Sequence, residues 1–155
     1  MTGLEKKEAI IGFNYKNEKE CLEAVKQNFR NIQFIENPSE TVCLAAINIS
    51  PDIIKTISNP SETVCLAAVK QDGYTLKYIK NQAESVCIEA IKENSYALQF
   101  VQNQTEDLCL LAVKRNGYSL LYVKEQSEAI CLEAVRQSKE ALSLVQDKFL
   151  YLFDD

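Results

Sequence analysis

Residues 37–46 read NPSETVCLAA, and residues 59–68 contain the same ten letters 22 positions further along the chain. The cysteines continue this spacing, since every interval between consecutive cysteines is 22 residues. The six positions are Cys21, Cys43, Cys65, Cys87, Cys109 and Cys131. A fixed period of this size is typical of stacked-repeat proteins, in which each copy is one small structural unit. The sequence therefore predicts about six repeats of 22 residues.

The residues around each cysteine follow a helical pattern. With the cysteine as position 0, position +3 is always Ala, position +1 is Leu or Ile, and position +4 is Val or Ile. Position −1 is also apolar, except for Glu20 in the first copy. These positions lie on one side of a 3.6-residue helix, so each repeat is expected to contain an amphipathic helix, here called helix A.

Polar residues before the cysteine predict where helix A begins. We interpret position −6 as the N-cap, the prolines at −5 as the first helical position and the Glu at −3 as the third, which together resemble a capping box. The predicted N-caps are Asn37, Asn59, Asn81, Asn103 and Glu125. A cation at +5 in most copies complements the carbonyl end of the helix dipole.

A second, shorter helix is predicted after helix A. Position +7 is always Asn, Asp or Ser, which are preferred N-cap residues. Apolar residues follow at +11 and +14, with mostly aromatic residues at +13, over about two helical turns. Helices this short are marginal on their own in water, so helix A and this helix B must be stabilised by neighbouring repeats.

These elements predict an all-α fold, an α-solenoid of about six two-helix repeats forming one domain over residues 1–155. Residues 17–146 are the repeats. Residues 1–16 are expected to cap the N-terminal end, because Ile10 and Phe13 match positions of helix B. Residues 147–155 are expected to cap the C-terminal end, in the place where a further helix A would lie.

Three segments carry a resemblance to a known family: AVKQDGYTLKYIK at 68–80, AIKENSYALQFVQ at 90–102 and AVKRNGYSLLYVK at 112–124. They resemble a family of short α-helical repeats classed as a domain of unknown function, whose units read roughly A-V-K-x-N-G-Y-x-L-x-Y. The resemblance covers residues 17–146 and implies a helical-repeat fold. It implies no catalytic residues.

The composition disfavours catalysis and cofactor binding. The chain has no His, so Ser–His and Cys–His nucleophilic pairs are excluded within one chain. Equivalent atoms of stacked helices lie about 8–10 Å apart, too far for a disulfide or for thiolates converging on one metal. We therefore predict reduced, buried cysteines, with no catalytic residue, metal or cofactor.

The net charge of −5 disfavours nucleic acid as a partner, and no stretch is long and apolar enough to span a membrane. We expect a cytoplasmic protein. One alternative is a reader of single-stranded RNA that stacks one base per repeat on the tyrosines at +9, which are Tyr74, Tyr96 and Tyr118.

The function that the sequence favours is a non-catalytic module that binds another protein. Candidate contacts occupy the variable positions +2 and +6, namely Ile49, Glu89, Glu93, Leu111, Arg115 and Glu133. A narrower alternative is an anti-CRISPR-like inhibitor of a host defence nuclease, encoded by a phage or mobile element. A further alternative is a homo-oligomer formed through Phe149, Tyr151 and Phe153.

Overall fold

The computed structural model describes residues 17–154, and every regular element in that range is helical. Six α-helices of ten residues alternate with 3-10 helices. The α-helices are α1 (Glu18–Gln27), α2 (Glu40–Ile49), α3 (Glu62–Gln71), α4 (Glu84–Glu93), α5 (Glu106–Arg115) and α6 (Glu128–Gln137). The 3-10 helices are η1 (Phe29–Phe34), η2 (Pro51–Thr56), η3 (Gly73–Tyr78), η4 (Ser95–Phe100), η5 (Gly117–Tyr122), η6 (Lys139–Leu144) and η7 (Asp147–Phe153).

Consecutive helix pairs pack on one another in chain order, which confirms the predicted α-solenoid. Each α-helix contacts the next α-helix, and the 3-10 helices η1 to η6 form a second layer in the same order. A repeat therefore contacts only its neighbours. The predicted N-terminal cap, residues 1–16, lies outside the described residues.

The α-helices begin two residues later than the sequence predicted. The N-cap of α2 is Ser39 rather than Asn37, and the Ser39 hydroxyl accepts a hydrogen bond from the amide of Val42. The other N-caps after α1 are Ser61, Ala83, Thr105 and Ser127. The prolines at −5 thus precede the helix, and the Glu at −3 is its first residue.

Helix B is a 3-10 helix of six residues rather than an α-helix. Its predicted N-cap at +7 is correct, and four of the six cap side chains accept a hydrogen bond from the amide two residues later. These four are Asn28, Asp72, Asn94 and Asn116. Six residues make two turns of a 3-10 helix, which is longer than the run of about three to four residues that is usual for this geometry, so packing against the neighbouring repeats must stabilise it.

The core follows the predicted apolar positions and one more. Positions 0, +3 and +11 are buried in nearly every repeat, as the helical pattern requires. Position +10 is also buried, and the sequence analysis missed it because its residues are mostly small or polar. From the second repeat they are Ile53, Thr75, Ala97, Ser119 and Ala141.

Two glycines at +8 allow very close contact between neighbouring repeats. A Cβ atom on Gly117 would lie 2.4 Å from the carbonyl oxygen of Ala134, and the amide of Gly117 donates to Oε1 of Gln137 at 2.5 Å. Gly73 has the same arrangement two repeats earlier, where its amide donates to the Glu93 carboxylate at 2.6 Å. Glycine is required for this close approach, because a side chain would overlap the next helix.

Candidate functional site: the loop-edge groove

The loops that connect each 3-10 helix to the next α-helix lie along one edge of the stack. Open depressions lie between consecutive loops within residues 37–130, and four of them have volumes of about 350, 410, 220 and 470 Å³ in chain order. Together they line the edge from residue 37 to residue 130. We call this row of depressions the loop-edge groove.

Four of the cysteines, Cys43, Cys65, Cys87 and Cys109, line the groove, and all six have unreactive thiols. All six thiols are buried and unpaired, as predicted. From Cys43 onward, each thiol donates to an oxygen of its own loop, at 3.8 Å for Pro38 O and 3.4 Å for Gln126 Oε1. Burial raises the pKa of every thiol, and that of Cys109 rises to about 11. These thiols are therefore poor nucleophiles at neutral pH.

A glutamine at −5 joins neighbouring loops in the C-terminal half of the stack. The Nε2 atom of Gln104 donates to the carbonyl oxygens of Leu98, at 3.0 Å, and Tyr122, at 2.9 Å. Its Oε1 atom accepts from the amide of Lys124 at 3.0 Å and from the Cys109 thiol at 3.7 Å. One side chain thus provides hydrogen-bond partners for backbone groups at the ends of two consecutive 3-10 helices, η4 and η5.

The same bridge recurs at Gln82 and Gln126, so it is a regular feature of these repeats. The sequence analysis missed it. The available signal was the change at −5 from Pro38 and Pro60 in the first loops to Gln in the next three. In those loops the proline carbonyl accepts the thiol hydrogen bond.

The asparagines at −6 are exposed on the groove, and two of them have a conformational role. Asn37 and Asn59 adopt left-handed backbone angles, with φ of 48° and 51°. Asparagine tolerates this region better than most residues, so the backbone explains its presence beside Pro38 and Pro60.

Asn81 and Asn103 have no such backbone requirement, since their φ angles are not positive. Both side chains are exposed, and neither forms a side-chain hydrogen bond with another residue of the described range 17–154. Asn81 lines the second depression, and Asn103 lines the third and fourth. Their primary amides are therefore available to a ligand in the groove.

Most of the glutamates at −3 connect neighbouring repeats, and three of the row, Glu40, Glu84 and Glu106, line the groove. Glu18 accepts a hydrogen bond from the Ser39 hydroxyl at 2.5 Å, and Glu106 accepts one from Ser127 at 2.6 Å. Equivalent bonds join Glu40 to Ser61, Glu62 to Ser85 and Glu128 to Tyr151. The sequence analysis gave this row only a local capping role, which overlooks its bonds to the next repeat.

The predicted partner contacts lie away from this groove. The candidates at +6 are the last residues of their α-helices and lie at the opposite edge of the stack. Ile49 is 51% exposed, and Arg115 is exposed as well. The Glu93 carboxylate accepts a hydrogen bond from the Gly73 amide. Leu111 is half-buried against the core. The structure does not bring these residues together into one site.

The remaining candidates at +2 form local ion pairs. Glu89 contacts Lys92 at 2.8 Å, and Glu133 contacts Arg136 at 2.6 Å. Hydrogen bonds from these cations lower the pKa of both glutamates. Both pairs lie on the surface with half-buried glutamates, and pairs of this kind add little stability.

The aromatic candidates are mostly engaged in packing. The ring of Tyr74 packs edge-on against Phe100, with centroids 5.8 Å apart, and Tyr96 packs against Tyr122 at 5.5 Å. Among the C-terminal aromatics, Phe149 and Phe153 are half-buried against the core, whereas Tyr151 is exposed.

Within residues 17–154 no group of three or more His, Cys, Asp or Glu side chains is placed to hold a metal ion. No helix of that range combines the length and the apolar character that crossing a bilayer requires. Comparison with known proteins gives no matching protein-family model, curated protein or solved structure. The resemblance of residues 68–80, 90–102 and 112–124 to a repeat family therefore rests on those residues alone.

Proposed function

We propose that the protein is a non-catalytic scaffold that binds an extended peptide segment of another protein along the loop-edge groove. The observation that carries this proposal is the pair of exposed asparagines, Asn81 and Asn103, whose amides have neither a backbone role nor a side-chain partner within residues 17–154. The depressions beside them give a ligand room to contact both.

The chemistry of these amides suits a peptide backbone. A primary amide offers two donors and an acceptor, which match the carbonyl and N–H groups that an extended chain leaves unpaired. Neighbouring helices are spaced by about 8–10 Å, and an extended chain rises about 3.3 Å per residue. Each repeat would thus contact about three residues, and four depressions would contact a segment of about twelve.

The low reactivity of the side chains in the groove supports binding rather than catalysis. The thiols that line it have raised pKa values, and the glutamine side chains are occupied by the bonds between loops. Six reduced thiols also support a reducing compartment such as the cytoplasm for this scaffold. Of the three tyrosines at +9, Tyr74 and Tyr96 pack against the next repeat and Tyr118 is exposed. Stacking of one RNA base per repeat is therefore not included in this proposal.

A peptide-display selection tests the proposal. Random twelve-residue peptides are selected on the immobilised full chain, and enriched peptides are measured by fluorescence anisotropy. The Asn81→Ala/Asn103→Ala double variant should bind about 5- to 30-fold more weakly, as expected for two lost hydrogen bonds. The matched control is Asn48→Ala, an exposed asparagine at the opposite edge, which should bind as the parent does.

Two outcomes would contradict the proposal. One is a selection in which no peptide enriches. The other is equal affinity of the double variant and the parent, since the amides would then not contact the ligand. Affinity capture from the native cell with both chains would next identify the partner, which should be lost with the double variant and retained with the control.

A further inference from the structure

The loop-edge groove carries opposite charges in two neighbouring depressions. The second depression, between residues 54–60 and 78–81, is lined by Lys55 and Lys80 and by no Asp or Glu. Each of the other three depressions is lined by at least one glutamate. The chain as a whole has a net charge of −5, so a cationic depression departs from the average of its surface.

The lysines of the second depression have no carboxylate partner within residues 17–154. The Nζ atoms of Lys55 and Lys77 lie 5.8 and 4.7 Å from the centroid of the Tyr78 ring, which also lines this depression. Lys80 is exposed, and its amine forms no hydrogen bond in the described range. Its equivalent one depression further from Asn103, Lys124, instead donates to two backbone carbonyl oxygens at 3.0 Å each. Three positive charges in and beside the second depression are therefore available to an anionic group.

The third depression offers a negative charge, that of Glu84, which is exposed and lines it. The glutamates at −3 on either side, Glu62 and Glu106, accept hydrogen bonds from Ser85 and Ser127 of the next repeat. Glu84 has no such bond and no ion pair with another residue of the range 17–154. Its carboxylate is therefore available to a cationic group.

The distance between these two depressions suits an extended peptide. They are one repeat apart, which is about 8–10 Å. In the polyproline II form of an extended chain, three residues make one turn and advance about 9 Å, so side chains three positions apart lie on the same face. Such a segment can place oppositely charged side chains in both depressions at once. Asn81 lines the second depression and Asn103 the third, so a free amide accompanies each charge.

We propose that the segment bound in the groove carries an acidic residue in the second depression and a basic residue three positions away in the third. This inference rests on the proposed function, because it specifies the ligand of the same groove. The carboxylate of the segment contacts Lys55 and Lys80, and its cation contacts Glu84. A shift of the segment by one repeat in either direction brings like charges together. Charge pairs of this kind add more to selectivity than to affinity, so they fix the register of the segment.

The peptides enriched in the selection on the full chain give the first test. They should contain an Asp or Glu three positions from a Lys or Arg more often than the unselected library does. The Lys55→Glu/Lys80→Glu double variant should bind such a peptide about 5- to 30-fold more weakly, because attraction at two positions becomes repulsion. The matched control is Lys19→Glu/Lys139→Glu, which changes the net charge equally at two exposed lysines that line none of the four depressions. In about 0.15 M salt, where distant charges are screened, it should bind as the parent does.

Reversing a charge on the peptide tests the pairing itself. A peptide whose acidic residue is replaced by lysine should bind the Lys55→Glu/Lys80→Glu variant more tightly than it binds the parent. A loss of folding cannot produce this gain. Glu84→Lys should show the reciprocal behaviour, with weaker binding of the original peptide and tighter binding of one whose basic residue is replaced by glutamate.

Two results would overturn this inference while leaving the proposed function in place. One is a set of enriched peptides without the charge pattern, and the other is equal affinity of the parent and the Lys55→Glu/Lys80→Glu variant. In both cases the peptides would still bind the Asn81→Ala/Asn103→Ala variant more weakly. A selection in which no peptide enriches would overturn the proposed function and this inference together.

Discussion

Replacing Gly117 with alanine tests the close contact between repeats most directly. The added Cβ atom would lie 2.4 Å from the Ala134 carbonyl oxygen and 3.2 Å from the Ser138 Cβ. Ordinary contacts of this kind begin near 3.4 Å, so the two repeats must separate by about 1 Å. The separation also weakens the 2.5 Å hydrogen bond from the Gly117 amide to Gln137.

The magnitude follows from three contributions. Overpacking of a rigid interface costs about 1–3 kcal/mol, and a weakened hydrogen bond costs about 1 kcal/mol more. Alanine lowers the entropy of the unfolded chain, which returns about 0.4–1 kcal/mol. We therefore expect the free energy of unfolding to fall by about 1–3 kcal/mol.

Urea unfolding followed by circular dichroism measures this change. The control is Ser95→Ala, because Ser95 occupies the same position +8 and already has a Cβ atom. Its free energy of unfolding should change by less than about 0.5 kcal/mol. A Gly117→Ala protein as stable as the parent would refute the reasoning, since the repeats would then not be in close contact at this position.

Three further predictions concern single side chains. Gln104→Ala should lower the free energy of unfolding measured in urea by about 1–3 kcal/mol, because it leaves loop carbonyls and an amide without their partner. The control Gln99→Ala should change it little, because the Gln99 side chain is exposed. Ser119→Ala should be neutral or slightly stabilising in thermal unfolding, because the buried Ser119 hydroxyl has no hydrogen-bond partner within the described residues. Two other repeats already have alanine at this position. The comparison variant Ser127→Ala should lower the free energy of unfolding by about 1 kcal/mol, because it removes an N-cap. The raised pKa of Cys109, about 11 against 9.0 for a free thiol, means that the unfolded chain loses its proton first, so stability should be full below about pH 9 and fall toward pH 11. Urea titrations across this pH range with the parent and Cys109→Ala should show a smaller fall in the variant, and an equal fall would contradict this assignment.

The sequence predicted the repeat and its core because both depend on local spacing. Apolar residues at fixed intervals around Cys65 determine which side of the α-helix is buried, whatever its neighbours are. The short polar residue at +7, such as Asp72, determined the start of the second helix through a bond to an amide two residues away. These interactions lie within a few residues of one another, so the pattern alone contains them.

The loop-edge groove depended on the tertiary structure, because its bonds join residues that are about twenty positions apart. Gln104 binds the carbonyl oxygen of Tyr122, and Glu106 binds Ser127, only because stacking places one loop beside the next. The capping rule placed Glu in the first helical turn but assigned the N-cap to the asparagines at −6, because several side-chain oxygens near the helix start compete for the same donors. The spacing of repeats in space decides which of them pair, and it leaves the amides of Asn81 and Asn103 exposed on the groove.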